Sequence, residues 1–247
     1  MNIIVTESYE ETCREAAGQM IAAIQANPQA CLGLATGGTA QGVYPYLIQA
    51  YHQQTVSFKD VKTVNLDEYI GLKPDHPQSY RRYMDNHFFD HVDVSPLNTY
   101  VPSGCHMLQQ EMAIFAGILD VWKRDIQLLG VGINGHIGFN EPGEVLHARV
   151  HMAELAEATI KANARFFASE EDVPKTAITM GVGDILHAGK IVVIATGSQK
   201  AGALQKLLND DEVTTRMPCT LLKLHRDVTV ILDRELAQQV GYNRPVS

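Results

Sequence analysis

Short apolar runs typical of β-strands alternate along the chain with amphipathic segments typical of helices, and this alternation constrains the fold more than any other feature. The predicted strands lack a polar face, as expected of parallel strands covered on both sides. They span residues 3–5, 30–35, 61–65, 125–131, 191–195 and 228–232. Apolar residues three and four apart, from Cys13 to Ile24 and from Leu108 to Trp122, predict intervening helices. The pattern therefore predicts an α/β fold with an open, doubly wound, mainly parallel sheet and helices on both faces, a Rossmann-like arrangement.

The length of the chain, 247 residues, suits one α/β domain with a sizeable core. No internal repeat, low-complexity tract or long linker interrupts the alternation. We therefore expect a single domain over residues 1–240. The pattern stops near Gly241, so a loose C-terminal tail is predicted over residues 241–247.

Charge and cysteine content exclude several classes of partner. The 28 acidic residues outnumber the 20 Lys and Arg, and the resulting net charge of −8 argues against nucleic acid. No apolar stretch approaches the ~18 residues needed to span a bilayer, and residues 1–7 lack the basic start of a signal peptide. The four cysteines are far apart and form no CxxC pair, which indicates reduced, mostly buried thiols. We predict a cytoplasmic protein that has no nucleic-acid or membrane partner.

Two glycine-containing loops that follow predicted strands are candidate phosphate sites. In such sheets ligands bind at the carboxyl ends of the strands. In the first loop Gly37 and Gly38 allow close approach of a ligand, and Thr39 is predicted to cap the next helix. In the second, Ser198 is a candidate cap, and Lys200 falls in a first helical turn where a bound anion would neutralise it. An ordinary glycine turn and a solvated surface lysine remain the alternatives.

The segment Asn65–Tyr69 places two carboxylates directly after a predicted buried strand. Asp67 would point into the crevice at the strand ends, where burial and the neighbouring charge of Glu68 would raise its pKa. A carboxylate of this kind can act as a general base toward a C–H proton. The alternative is an acidic pair that caps a turn. A metal site is less favoured, because no third ligand lies nearby in the sequence.

The loop over residues 130–143 contains five glycines together with His136, Asn134 and Glu141. This composition is unusual for a segment that only packs. A histidine can accept and return a proton near neutral pH, and Asn134 or Glu141 could orient its ring. The alternative is a core histidine bonded to the backbone. The other nine histidines have no comparable setting and are predicted to be surface or structural residues.

At these loops the sequence resembles the glucosamine-6-phosphate deaminase family. NLDEYIGL over residues 65–72 combined with GHIGFNEP over 135–142 is highly specific, whereas the TGGT loop alone is weak. The matching segments run in family order over nearly the whole chain: 34–39, 65–72, 79–80, 132–142, 163–167, 181–183, 197–200 and 222–225.

The resemblance implies conversion of glucosamine 6-phosphate to fructose 6-phosphate and ammonia, without a cofactor or metal, in amino-sugar catabolism and the use of N-acetylglucosamine. It implies that His136, oriented by Asn134 and Glu141, opens the sugar ring. It also implies that Asp67 moves a proton from C2 to C1 before water adds at C2. The phosphate would be bound by Gly37, Gly38, Thr39, Arg165 and Lys200.

One residue departs from the family pattern, because many members have Asp where this chain has Asn134. An asparagine can still accept a hydrogen bond from the imidazole, but it lacks the charge that would raise the pKa of His136. Ring opening would then depend more on Glu141.

Two other functions compete with deamination. A 6-phosphogluconolactonase shares the fold and the glycine loop, but it has a GHxASLFP-type loop and lacks the DEY segment. A sugar-phosphate-sensing domain of a repressor would follow a DNA-binding helix-turn-helix, whereas here the first predicted strand begins at Ile3. A sensor would also not need both Asp67 and His136.

The resemblance also bears on regulation. Some larger members are hexamers activated by N-acetylglucosamine 6-phosphate, whose phosphate lies between subunits. The matching stretch 149–154 keeps Arg149 but has His, Ala and Glu where those members have Arg, Lys and Thr, and Glu144 replaces a small hydroxyl residue. Acidic side chains would repel the phosphate dianion. We therefore expect a monomer or small homo-oligomer rather than an allosteric hexamer.

Overall fold

A computed structural model describes residues 1–105 and 107–242 of the chain. The strands within these ranges are β1 Asn2–Thr6, β2 Cys31–Leu34, β3 Lys62–Asn65, β4 Asp67–Tyr69, β5 Thr99–Tyr100, β6 Ile126–Gly130, β7 His151–Glu154, β8 Thr176–Thr179, β9 Lys190–Ala195 and β10 Val228–Asp233. The α-helices are α1 Tyr9–Ala26, α2 Gly38–Gln41, α3 Tyr44–His52, α4 Tyr80–His87, α5 Leu108–Val121, α6 Glu157–Asn163, α7 Val182–Leu186, α8 Ala201–Asn209 and α9 Arg234–Gln239. Short 3₁₀-helices span Phe89–His91, Pro96–Asn98, Ala164–Phe166, Glu170–Asp172, Ser198–Lys200 and Pro218–Leu224.

A seven-stranded sheet in the order β1-β10-β9-β6-β2-β3-β5 forms the centre of the molecule, and every pair of neighbouring strands in it is parallel. All six predicted strands lie in this sheet, which confirms the predicted fold class. The order reverses between β2 and β6, because the chain continues from β2 to β3 on one side and from β6 to β9 on the other. Such a reversal opens a crevice at the strand ends, where α/β proteins bind their ligands.

A second sheet, which is antiparallel and has the strand order β4-β8-β7, was not predicted from the sequence. The segment containing Asp67 and Glu68 was predicted to be a loop, and this is wrong, because Asp67–Tyr69 forms β4. Only Leu66 separates β4 from β3, and Asp67 pairs with Thr179 on a strand far along the chain. Local sequence patterns carry no signal for such a distant pairing.

The predicted helices at Cys13–Ile24 and Leu108–Trp122 are present as α1 and α5. The helix predicted after the glycine loop is divided into α2 and α3 at Gly42. A Cβ atom at Gly42 would lie 2.4 Å from the hydroxyl oxygen of Tyr9, which donates a hydrogen bond to the Gly38 carbonyl at 2.9 Å. Because Gly42 has no side chain, the Tyr9 ring can approach the break between α2 and α3 and hold the glycine loop through its hydrogen bond to Gly38.

The predicted C-terminal tail begins at Gly241, and the structure describes its first two residues. The Tyr242 N–H donates to the Ala237 carbonyl at 2.8 Å, and the Tyr242 ring packs partly buried against the main core. The remainder of the predicted tail, residues 243–247, lies outside the described residues, as does His106.

Candidate active site

A cavity of about 870 Å³ opens at the carboxyl ends of the parallel strands, beside the reversal between β2 and β6. Seven of the nine predicted site residues line this cavity: Gly37, Gly38, Thr39, Asp67, His136, Arg165 and Lys200. The other two, Asn134 and Glu141, contact His136 from outside the cavity wall. The structure therefore brings the predicted residues together around one crevice.

The loop after β2 presents backbone to the cavity. Gly37 has φ 92°, a left-handed conformation that favours glycine, and it occupies the position before α2. The prediction that Thr39 caps a helix is wrong, because Thr39 lies inside α2 and Gly37 takes the cap position. A Cβ atom at Gly38 would lie 3.1 Å from the Arg165 guanidinium, so a glycine there lets the arginine approach the loop.

Lys200 joins this loop to the one after β9. Its ammonium group donates a hydrogen bond to the Thr39 hydroxyl at 3.0 Å. Burial, and secondarily the positive charge of Arg165, lower the pKa of Lys200 to about 8, while Asp233 acts in the opposite direction. The predicted cap at Ser198 is wrong, because Gly197, with φ 88°, precedes the 3₁₀ turn that contains Ser198. Two neighbouring cations with little compensating charge form a setting that an anion would stabilise.

Asp67 is buried, with 6% of its surface exposed, and it lines the cavity from β4. Burial, and then the charge of Glu68, raise the pKa of Asp67 to about 8. Both causes were predicted from the sequence. Gly138 faces this carboxylate, since a Cβ atom there would lie 3.5 Å from Asp67 Oδ2, and its φ of 55° also favours glycine. Space is therefore left directly beside the carboxylate.

Glu68 anchors β4 to the start of α4. Its carboxylate accepts hydrogen bonds from the backbone N–H groups of Tyr69, Tyr80 and Arg81 at 2.9, 2.9 and 3.1 Å. Burial raises the pKa of Glu68 to about 7 against the opposing effect of these three donors. The two adjacent carboxylates thus differ in environment, because only Asp67 lines the cavity.

The ring of His136 is held by the two polar residues of its own loop. Its Nδ1 lies 2.8 Å from Asn134 Oδ1 and 3.4 Å from Glu141 Oε2. Asn134 uses its amide nitrogen to donate to Glu141 Oε2 at 2.7 Å, which leaves its oxygen facing the imidazole. Because that oxygen can only accept, Nδ1 carries the proton and Nε2 is the basic nitrogen of the neutral ring. A Cβ atom at Gly132 would lie 2.3 Å from the ring, so the ring packs directly against backbone.

Thr159, on α6, is a residue that the sequence analysis missed. Its hydroxyl donates to Glu141 Oε1 at 2.5 Å and lies 3.3 Å from His136 Nδ1. Burial alone would raise the pKa of Glu141, but His136, Thr159 and Asn134 together lower it to about 2. Thr159 precedes the matched segment 163–167 by one helical turn, and this spacing is the one signal that could have identified it.

The described residues also bear on the cysteines, on membrane-spanning helices and on metal binding. Cys13, Cys31 and Cys219 are buried and Cys105 is exposed, which confirms the prediction of mostly buried cysteines. Every helix in the described ranges is too short or too polar to cross a bilayer. Among the same residues, no three His, Cys or acidic side chains converge closely enough to hold a metal ion.

Comparison with known proteins identifies similar sequences over nearly the whole chain. A family model described as glucosamine-6-phosphate isomerases/6-phosphogluconolactonase matches residues 5–231. A Clostridium perfringens protein named glucosamine-6-phosphate deaminase is 48% identical over 240 residues, which cover 96% of this chain and 99% of that protein. A protein of the same name from Thermoanaerobacter sp. is 45% identical over 248 residues, with 97% of this chain and 95% of that protein covered.

Solved structures agree with these matches. A structure described as that of a monomeric glucosamine-6-phosphate deaminase matches with a TM-score of 0.94 and 44% identity, covering 97% of this chain and 100% of that one. A 6-phosphogluconolactonase from Trypanosoma brucei matches with a TM-score of 0.76 at 16% identity, covering 96% of this chain and 97% of that one. At that identity the second likeness shows the fold alone.

Proposed function

The chain belongs to the family of glucosamine-6-phosphate isomerases and 6-phosphogluconolactonases, and we propose that it is a glucosamine-6-phosphate deaminase acting as one domain over residues 1–240. The observation that carries this proposal is the pairing, in one cavity, of a buried carboxylate of raised pKa with a histidine held in a defined tautomer. The reaction converts glucosamine 6-phosphate and water to fructose 6-phosphate and ammonia. It is an isomerisation followed by hydrolytic loss of the amino group, and it requires no cofactor or metal.

The substrate phosphate binds between the loops that follow β2 and β9. Lys200 and Arg165 supply positive charge, Thr39 supplies a hydroxyl, and the backbone at Gly37 and Gly38 allows close approach. A bound phosphate dianion would favour the protonated form of Lys200, whose pKa is lowered by burial and by the charge of Arg165. This placement fixes the sugar with C1 and C2 toward Asp67 and His136.

Ring opening is assigned to His136. Because Asn134 holds the Nδ1 proton, Nε2 is free to accept the proton of the O1 hydroxyl. The same nitrogen then returns that proton to the ring oxygen O5 as the C1–O5 bond breaks. Glu141, a carboxylate with a pKa of about 2, stays ionised and stabilises the imidazolium that forms between the two transfers.

Isomerisation and deamination are assigned to Asp67. In its ionised form Asp67 removes the proton from C2 of the open-chain sugar. The electron pair of the C–H bond forms the C1=C2 bond of the enolamine, and the C1=O electron pair moves to O1, which takes a proton from solvent. The raised pKa of Asp67 makes the carboxylate a stronger base than an exposed aspartate. Protonated Asp67 then delivers the proton to C1, which leaves a C=N bond at C2. Water adds to C2, its protons pass to nitrogen and solvent, and ammonia leaves with the C–N electron pair as the ketone forms.

We also propose that the enzyme acts in the cytoplasm, in amino-sugar catabolism and N-acetylglucosamine utilisation, as a monomer or small homo-oligomer. The net charge of −8 supports the absence of a nucleic-acid partner. The 44% identity to a deaminase described as monomeric supports the small assembly.

Ammonia and fructose 6-phosphate measured together test the proposal. The purified protein mixed with glucosamine 6-phosphate should release both products in equal amounts. The same protein mixed with 6-phosphogluconolactone should not accelerate its hydrolysis. Lactone hydrolysis without ammonia release would assign the chain to the other branch of its family.

A further inference from the structure

The hydroxyl of Thr159 lies at the junction between α6 and the residues that hold His136. Thr159 is 3% exposed and has a single hydroxyl proton, which it donates to Glu141 Oε1 at 2.5 Å. Its oxygen lone pairs therefore face His136 Nδ1, 3.3 Å away. The backbone N–H of Ala156, just before α6, also donates to Glu141 Oε1, at 3.4 Å.

The Nδ1–H group of His136 is consequently surrounded by acceptors. These are Asn134 Oδ1 at 2.8 Å, Thr159 Oγ1 at 3.3 Å and Glu141 Oε2 at 3.4 Å. Thr159 is an acceptor toward the ring only while its proton is committed to Glu141. Glu141 also accepts from the Asn134 amide nitrogen and so keeps the Asn134 oxygen toward the ring. Without the Thr159 hydroxyl the carboxylate could turn and the Asn134 amide could flip, which would present a donor to Nδ1 and favour the other tautomer.

We propose that Thr159 is a positioning residue for His136: it fixes the Glu141 carboxylate from α6 and thereby holds the imidazole in the Nδ1–H tautomer. Its effect on catalysis rests on the proposed function, whereas its effect on the tautomer is a property of the protein without substrate. Asn134 alone cannot give the same control. Its side chain and that of Glu141 lie on the His136 loop, and Thr159 ties this loop to a separate helix.

The same helix contacts the strand that carries Asp67 and leads directly to Arg165. One turn after Thr159, the Asn163 amide donates to the Tyr69 hydroxyl at 2.9 Å, and Tyr69 follows Asp67 by two residues on β4. Arg165 lies in the 3₁₀ turn that continues α6. A phosphate bound by Arg165 is thus linked through one short helix to the supports of both proton-transfer groups.

Replacing Thr159 with valine tests the proposal, because valine keeps the branched shape and removes the hydroxyl. We expect kcat with glucosamine 6-phosphate to fall about 10- to 100-fold, part of the ~10²–10⁴-fold that a positioned acid–base group contributes. KM should stay within about 3-fold, since the phosphate-binding residues are untouched. Nitrogen NMR of the free protein should show His136, assigned by its absence in His136→Gln, as one Nδ1–H tautomer in wild type and as a mixture in Thr159→Val.

Two controls separate positioning from helix stability. Thr159→Ser keeps the hydroxyl and should retain wild-type tautomer and kcat. Lys161→Ala removes the exposed pair between Lys161 and Glu157 on the same helix and should leave both readouts unchanged. If Thr159→Val does not fold, Thr159→Ala provides the same loss of the hydroxyl.

A Thr159→Val protein with an unchanged His136 tautomer would overturn the proposal, as would an equal loss of kcat in Thr159→Ser. If the wild-type protein does not deaminate glucosamine 6-phosphate, the proposed function fails, but the tautomer measurement still decides the role of Thr159.

Discussion

Lys200 and Thr39 are joined by a 3.0 Å hydrogen bond, although they lie in the separate segments that follow β9 and β2, 161 residues apart in the chain. This contact merges the two candidate anion loops, after β2 and β9, into one site. The hydroxyl is the acceptor, so the remaining protons of the ammonium group are available to an anion.

Replacing Lys200 with methionine should raise KM about 10- to 100-fold with a smaller effect on kcat, since a hydrogen bond to a charged group contributes about 1.5–3 kcal/mol. The phosphate is remote from C1 and C2 and is bound similarly in ground and transition states. Steady-state kinetics at pH 7 provide the measurement, and a normal KM would rule out a phosphate role for Lys200.

The KM of the wild-type enzyme should rise with pH above about 8, because Lys200, with its pKa lowered to about 8, loses its proton there.

The direction of the Lys200 pKa shift also determines how this residue affects the stability of the folded protein. A lysine with a depressed pKa in the folded state destabilises that state most fully below pH 8, and the cost disappears as pH rises toward 10.5. Lys200→Met should therefore melt at a higher temperature than wild type at pH 7 without ligand. A lower melting temperature would contradict the conclusion that the charge of Lys200 destabilises the folded protein.

Asp67→Asn should reduce deamination by about 10³-fold or more and leave substrate binding nearly intact, because only an ionised carboxylate can take the C2 proton. Exchange of the C2 proton with solvent deuterium provides an independent readout. Exchange at the wild-type rate in the variant would show that another group is the base.

The same substitution should stabilise the folded protein at high pH. The pKa of Asp67 is raised from 3.8 to about 8, so the folded state holds a proton that the unfolded state loses between these values. Stability contributed by the protonated carboxyl is therefore present below pH 3.8 and lost as pH rises through 8. At pH 9 Asp67→Asn should be more stable than wild type by up to roughly 6 kcal/mol, at about 1.4 kcal/mol for each unit of pKa shift, and near pH 4 by little. Equal pH dependence of the two melting temperatures would contradict the buried-base account.

His136→Gln should be slow with glucosamine 6-phosphate, which is predominantly a closed ring, because the proton shuttle between O1 and O5 is lost. An analogue lacking the hydroxyl groups at C4 and C5 cannot close a five- or six-membered ring and should partly escape the defect. The comparison of the two rates in wild type and variant is the measurement. Equal loss with both compounds would assign His136 to a step other than ring opening.

N-acetylglucosamine 6-phosphate should not activate the enzyme. Arg149, the one basic residue kept in the stretch that matches the activator site of hexameric members, already pairs with Asp120 at 2.7 Å and Asp184 at 3.3 Å. Without differential binding, a ligand shifts no equilibrium between states. The rate against glucosamine 6-phosphate should be hyperbolic with or without the acetylated compound. A sigmoidal curve made hyperbolic by that compound would contradict this prediction.

Six strands of the central sheet could be predicted from the sequence, because each lies in a short segment rich in apolar and β-branched residues. The two-residue strand β5, Thr99–Tyr100, is too short to give such a pattern and was not predicted. The second sheet could not be predicted, since β4 is the polar sequence Asp-Glu-Tyr and its pairing with β8 is formed across more than 100 residues. The two predicted caps failed for a related reason. Gly37 and Gly197 adopt positive φ angles and take the cap positions themselves, and nothing at Thr39 or Ser198 reveals this.

Within the site, the residues on strand-end loops were predictable because parallel topology places those loops together. Thr159 was not, because its one sequence signal, a position one helical turn before the matched segment 163–167, does not distinguish it from an ordinary helical residue. Its importance arises from a contact with Glu141, 18 residues earlier, that exists only in the folded chain. Helix α6 therefore reaches the site through tertiary contacts, whereas the predicted loops reach it because they follow neighbouring parallel strands.

The most direct test of the account is turnover of glucosamine 6-phosphate carrying deuterium at C2, compared with the unlabelled substrate, in wild type and Asp67→Asn. We expect wild type to release ammonia and fructose 6-phosphate in equal amounts, more slowly from the deuterated substrate, with deuterium at C1 of part of the product. In Asp67→Asn the release of both compounds should be at least about 10³-fold slower. Ammonia release from Asp67→Asn at the wild-type rate, or release that leaves deuterium on C2, would contradict it.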